Sequence, residues 1–324
     1  MQDLRTFLGE DWTAVASLMR SSLQSGIRLL NEANEAILSH GGKMIRPAMS
    51  LLVARAVGAE VTPEGRKVAA AAELLHNATL LHDDVADRSP ERRGQPTASS
   101  VYGDNAAVLL GDYWLVKAMD LMLSAGPYAN TVIRLFAKTL SDLAEGEMLQ
   151  LEKAVRGDTT REDYFRIIYS KTASLFEASC VSAAVCAGAD EAQTEAARIF
   201  GTRIGIAFQI RDDILDYTAT DALGKPTGMD LREKKITLPL IGALLSVSEE
   251  RRQQVRERVC GIDAHPEFEG QIRDFVLQEK GIAYAEEVLE DYIAQARQAL
   301  KAFPEGEAVR LLAALADFIG NRQV

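Results

Sequence analysis

Three carboxylates, Asp83, Asp84 and Asp87, stand within five residues, directly after an apolar run. On a helix, Asp83 and Asp87 are i and i+4 and share one face. Like charges at that spacing cost a helix about 0.2–0.5 kcal/mol, and Asp is a weak residue for a helix interior. A divalent cation offsets both costs. The pattern returns at Asp212, Asp213 and Asp216, so the expectation is one site with metal held between two helices. Hard oxygen ligands favour Mg2+ or Mn2+ over zinc. Mg2+ takes one or two protein carboxylates and completes its shell with substrate phosphates. Two such clusters therefore point to a phosphorylated substrate.

Basic residues at helix ends and in loops fit that substrate. Lys43 and Arg46 precede Pro47 at a helix start, where free N–H groups and the dipole favour anions; two solvated surface cations would look the same. His76 lies seven residues before Asp83, on nearly the same face, and a purely structural histidine fits there equally well. Arg92 and Arg93 follow the first cluster in a loop, and a guanidinium binds phosphate bidentately. Lys171 and Thr172 interrupt an apolar segment, Gln209 shares the face of Asp212, and Lys225 and Lys235 flank the loop beyond the second cluster. The set suits a diphosphate leaving group. Metals and cations stabilise the charge that develops as a carbon–oxygen bond breaks, and a dry apolar wall protects a carbocation from water. No Walker-type loop is present, so nucleotide phosphoryl transfer has little support. His82 adjoins a carboxylate and is read as a supporting residue rather than a general base.

Helices must position these groups. Apolar residues recur at three- and four-residue steps over residues 11–38, and a helix after Lys43 runs through about residue 57. Thr62-Pro63-Glu64 caps a helix that carries the first cluster. Further helices are predicted over residues 105–122, 130–155, 158–185 and 190–218, the last carrying the second cluster. Residues 224–236 read as a loop, and Thr237 opens an apolar helix. Residues 249–324 read as three or four amphipathic helices, including 267–279, 282–302 and 307–319, that supply packing and partner surface. The C-terminal residues 320–324 receive no role. No alternating strand pattern or solenoid repeat appears. The fold class expected is all-α: one large helical bundle with a deep central cavity, a single domain over residues 1–324.

The 324 residues, 47% of them hydrophobic, suffice for a substantial core. A net charge of -11 argues against nucleic-acid binding but leaves room for a local basic pocket. Cys180, Cys186 and Cys260 fit neither a disulfide framework nor a zinc motif and are read as small buried hydrophobes. Residues 1–10 carry charges and lack the apolar core of a signal peptide. The longest apolar runs, 178–189 and 237–247, are too short to span a bilayer. The expectation is a soluble, cytoplasmic protein that touches membranes peripherally if its product is a lipid.

The chain resembles the trans-polyprenyl diphosphate synthases, which have the all-α isoprenoid synthase fold. The likeness runs through most of the chain. It rests on Gly41-Gly42-Lys43-Met44-Ile45-Arg46-Pro47, residues 80–87, Arg92-Arg93-Gly94, Gly111-Asp112, Glu145-Gly146-Glu147, Lys171-Thr172, residues 208–216, Gly224-Lys225 and residues 230–239. A lone DDxxD is weak evidence, because terpene cyclases share it; the full ordered set indicates chain elongation. The resemblance implies Mg2+ ligation mainly by Asp83, Asp87 and Asp212, supported by Asp84, Asp213 and Asp216. It implies three Mg2+ ions once diphosphate is bound, with Mn2+ as a substitute. It matches Lys43, Arg46, His76 and Arg93 to an isopentenyl diphosphate site. It matches Arg92, Lys171, Thr172, Gln209, Lys225 and Lys235 to an allylic diphosphate site. It also implies a homodimer.

In such enzymes bulky residues just before the first cluster close the cavity early. Ala78 and Thr79 occupy those positions here, about one 5.4 Å turn below the metals. The expectation is an open tunnel and a long product of the octaprenyl class, a quinone side-chain precursor. Ala78 as a plain helix–helix contact remains the competing reading. One alternative is a short-chain farnesyl or geranylgeranyl diphosphate synthase, its floor supplied by Phe136, Leu140 or Met148. Another is a non-catalytic subunit of a heteromeric synthase, against which both acidic clusters are intact. A terpene cyclase would not need Lys43 and Arg46.

Overall fold

The computed structural model describes residues 2–39, 42–58, 60–92, 94–218 and 228–322. Among them the chain is all-α apart from a two-residue antiparallel ladder that pairs Glu91 with Pro96 and Arg92 with Gln95. In chain order the helices are α1 (Gln2–Ser22), α2 (Arg28–Ser39), α3 (Ile45–Ala56), α4 (Pro63–Ala86), α5 (Ala98–Tyr102), α6 (Asp104–Leu123), α7 (Ala129–Arg156) and α8 (Arg161–Ile168). After a π-helical segment, Tyr169–Ala173, come α9 (Ser174–Cys186), α10 (Glu191–Thr218), α11 (Met229–Arg232) and α12 (Leu238–Leu245). The chain closes with α13 (Glu249–Cys260), α14 (Glu267–Gln278), α15 (Gly281–Ala299) and α16 (Glu307–Asn321). Its contacts define two compact units. The first comprises Met1–Ala137, Ala178–Arg198 and Ala302–Leu312; the second comprises Lys138–Glu177, Ile199–Lys301 and Ala313–Val324.

In the first unit α4 is the central element and packs against α1, α3 and α6. Ala69 to Ala72 are fully buried on it, and small side chains let neighbouring helices come close. Thr62 caps its start, its hydroxyl accepting from the Gly65 N–H at 3.0 Å, with Pro63 in the first turn. The single helix expected over residues 11–38 is instead two, α1 and α2, with a turn between them. Apolar spacing continues across the break, but side-chain amides stabilise the turn. Asn31 exchanges hydrogen bonds with the backbone of Ser25. Buried Asn34 donates to the Leu23 carbonyl and accepts from the indole N–H of Trp114 on α6.

In the second unit α12 packs against α8, α14 and α15. Thr160 and Asp163 form a reciprocal capping box at the start of α8. The one helix expected over residues 158–185 is interrupted by the π-helical segment, so α8 and α9 are separate. Such segments widen the backbone ladder and re-aim side chains. This one carries Lys171 and Thr172. Glycines make room for it: a Cβ on Gly146 of α7 would come 2.6 Å from the Ser170 Cβ, and one on Gly205 of α10 would overlap Ala173.

Cys180 and Cys186 are buried, as expected, and burial pushes the Cys186 thiol up to about 12. Cys260, read as a buried hydrophobe, is exposed at the end of α13, where the helix ends and solvent reaches it.

Candidate functional site

Four predicted site residues in the second unit line one cleft. Lys171, Gln209, Asp213 and Lys235 border it together with Tyr164 and Asp230, and its volume is about 100 Å³. That suits a phosphate-sized group rather than a prenyl chain. A chain of hydrogen bonds organises one wall. The Thr172 hydroxyl donates to Gln209 Oε1 at 2.9 Å, and Gln209 Nε2 donates to Asp213 Oδ1 at 2.9 Å. The Tyr164 hydroxyl donates to Asp213 Oδ2 at 2.6 Å. Asp213 is therefore turned inward and used as an acceptor from both sides. Lys171 Nζ lies 2.8 Å from Glu147 and 3.0 Å from Gln150 of α7. Asp216 accepts from the backbone N–H groups of Met229 and Asp230 at 3.1 and 3.2 Å, which ties α10 to the segment leading to Lys235. Lys235 pairs with Glu233.

This cleft is short of positive charge for its acids. Burial raises Asp213 well above the ordinary carboxylate range, and the neighbouring Asp230 adds to the shift. Burial, then repulsion from Asp216, lifts Asp230 to about 7. Burial also raises Asp216, against the pull of its backbone donors. Asp212 does not border this cleft; it is 39% exposed and pairs with Arg322. Sequence reasoning missed Tyr164, Asp230 and Arg322. Only Asp230, an acid ahead of two lysines, carried a local signal.

The first cluster is built differently. Asp83 lies in the last turn of α4, and Asp87 is its exposed C-cap. Asp84 is buried and pairs with Arg92 Nε at 2.7 Å; burial raises its pKa, and Arg92 pulls it back. Thus Arg92, predicted to face substrate, grips a carboxylate here. His82 Nε2 lies 3.3 Å from Asp112 Oδ1 and from the Val108 carbonyl. A Cβ on Gly111 would overlap the His82 ring, so α6 approaches α4 at this glycine. Lys43 precedes Met44, the left-handed N-cap of α3, which makes no side-chain cap. Arg46 lies in the first turn of α3, and His76 is half-buried on α4. Ala78 is 1% exposed, and the Thr79 hydroxyl donates to the His76 carbonyl at 2.8 Å. Met148 is 67% exposed, so it forms no buried floor within this chain. Arg93, Lys225 and Gly41 lie outside the described residues.

Among the described residues no three His, Cys, Asp or Glu side chains form a ready metal cage. The donor set still fits Mg2+, which needs only one or two carboxylates when phosphates complete its shell. The desolvated acids of the second unit gain from an added cation.

The Polyprenyl synthetase family model matches residues 27–273. The chain belongs to this family. Its members join an allylic diphosphate to isopentenyl diphosphate, and this chain is accordingly a transferase of prenyl groups. It is 39% identical over 260 residues to an octaprenyl diphosphate synthase of Escherichia coli strain K12, covering 80% of each chain. Its fold superposes with a TM-score of 0.92 on a decaprenyl diphosphate synthase from Rhodobacter capsulatus, 35% identical, covering 100% of this chain and 99% of that one. A polyprenyl synthase from Caulobacter crescentus CB15, complexed with calcium and isoprenyl diphosphate, gives a TM-score of 0.90 at 35% identity, covering 99% and 97%. Among the described residues no helix of this family member is long and apolar enough to cross a membrane.

Proposed function

We propose that the protein is a Mg2+-dependent trans-prenyltransferase that elongates an allylic diphosphate to a long product of the octaprenyl class, a quinone side-chain precursor. The observation that carries this reading is the cleft bordered by Lys171, Gln209, Lys235 and Asp213. It joins fixed cations, an oriented amide and acids that need a cation. Asp83, Asp87 and Asp212 would hold the metal, with Asp84, Asp213 and Asp216 in support. Bound Mg2+ neutralises the charge developing on the leaving diphosphate. Lys171, Thr172, Gln209, Lys235, Arg92 and Lys225 grip the allylic diphosphate. Lys43, Arg46, His76 and Arg93 hold isopentenyl diphosphate, whose double bond attacks the allylic cation before a proton leaves to the released diphosphate. The uncapped N-terminus of α3 supports an anion beside Lys43 and Arg46.

Small Ala78 and Thr79 leave room in a central cavity for a growing chain. Ala78→Phe should shorten the product made from radiolabelled isopentenyl diphosphate; unchanged length would remove the tunnel assignment. We also propose a homodimer through α6, because Leu109, Val116 and Leu123 are 67%, 53% and 60% exposed at seven-residue steps on one face. The enzyme would act in the cytoplasm and release its lipid product through peripheral membrane contact. Farnesyl and isopentenyl diphosphates with Mg2+ test the function: a ladder ending near octaprenyl diphosphate supports it. Arrest at geranylgeranyl diphosphate would assign a short-chain synthase, and no elongation would overturn the reading.

A further inference from the structure

The last described residue of the chain reaches the second acidic cluster. Arg322 follows α16 directly, and its side chain is 9% exposed. Its guanidinium pairs with Asp212 Oδ1, donates to the Phe208 carbonyl at 3.2 Å, and stacks over the Phe208 ring at 4.0 Å. The opposite contact is also made. Arg211 of α10 donates to the Gly320 carbonyl at the end of α16, where the helix dipole is negative. Leu315, Ala316 and Ile319 are buried on α16 and hold this end in place. Stacking, a carbonyl and a carboxylate together fix the guanidinium, so its ordering cost is already met by packing.

Asp212 is 39% exposed and pairs with Arg322, whereas the other two acids of the cluster are held within the fold. Asp213 is held by Tyr164 and Gln209, and Asp216 by backbone N–H groups. Resting on the metal-ligand reading of Asp212, we propose that Arg322 is a built-in counterion that makes metal entry at Asp212 depend on diphosphate. A free divalent cation must displace the guanidinium from Asp212 and leaves it beside a second positive charge. A cation arriving with diphosphate brings new acceptors, and a guanidinium binds phosphate oxygens bidentately. Arg322 then moves from Asp212 to the substrate, and the two binding events favour each other. Idle metal is excluded without loss of affinity for the metal–diphosphate pair.

The test is Mn2+ binding to the full-length, metal-free protein without diphosphate, read by electron paramagnetic resonance of the unbound ion. Arg322→Gln should tighten Mn2+ binding by about fivefold or more, and Arg322→Lys should fall between. Damage to the fold would weaken metal binding, not tighten it. The gain should vanish when Asp212→Asn is added. Equal Mn2+ affinity in wild type and Arg322→Gln overturns the inference. The Mg2+ requirement of elongation in Asp212→Asn separates the two layers. If it rises while Arg322→Gln changes nothing, only the counterion role falls. If it does not change, the metal assignment falls and the counterion role with it.

Discussion

The two acidic clusters share a spacing and differ in almost everything around it. The first sits where α4 runs out, with Asp87 exposed as the cap and Asp84 neutralised by Arg92. The second lies within α10, with Asp213 sealed between Tyr164 and Gln209 and Asp216 bound to the backbone of a neighbouring segment. The first thus stands at a helix end, with Asp83 half-buried in the last turn and Asp87 exposed as the cap. The second is a hydrogen-bonded network in which the more exposed Asp212 pairs with Arg322. Identical letters therefore do not mean identical duty. An acid is a ligand when its neighbours leave its oxygens available, and a scaffold when they do not.

The comparison breaks most readily at the proposed ligands. Asp83→Ala should cut turnover by about 10³-fold with native circular dichroism, because electrostatic stabilisation of the leaving group is lost; wild-type rates would remove Asp83 from the metal site. Tyr164→Phe should cost about 1.5–3 kcal/mol in urea unfolding, since it strips a donor from a buried carboxylate. Its catalytic loss should be smaller than that of Asp83→Ala. Stability unchanged in Tyr164→Phe would mean that Asp213 is not the scaffold described. Gly146→Ala should destabilise by about 1–3 kcal/mol through overpacking against Ser170 and should weaken allylic diphosphate binding by displacing Lys171. A variant with unchanged binding would separate the glycine from the site.

The pH dependence sharpens the contrast further. Asp213, Asp216 and Asp230 all have raised pKa values in the folded chain, Asp230 near 7. Between about pH 4 and 7 the folded state therefore binds more protons than the unfolded one, and stability falls as pH rises. The melting temperature of metal-free protein should drop by a few degrees from pH 5 to pH 8, and Mg2+ with diphosphate should reduce that drop. Asp230→Asn should flatten the profile; an unaltered slope would place the titration elsewhere. Cys260→Ser, at an exposed helix end, should change stability by no more than about 0.5 kcal/mol.

Much of this was legible in the sequence, for local reasons. The capping signal at Thr62 acts within one turn, and α4 starts where it points. The acidic repeats and the lysine–proline entry to α3 are equally local. The break between α1 and α2 was hidden because Leu23, Ile27 and Leu30 keep helical spacing across it, while the turn is held by Asn31 and Asn34. The π-helical segment was hidden because one extra backbone residue leaves the apolar pattern nearly intact. Its traces are Gly146 and Gly205, whose missing side chains become meaningful only once their neighbours are known. Arg322 looked like a stray terminal charge, since its partner Asp212 is far away in the chain.

The most direct test is product analysis by mass spectrometry after incubating the protein with farnesyl diphosphate, isopentenyl diphosphate and Mg2+. A ladder ending near octaprenyl diphosphate, lost in both Asp83→Ala and Asp212→Ala, is the predicted result. A natively helical protein that extends no primer, or that extends it equally well in both variants, would contradict the account.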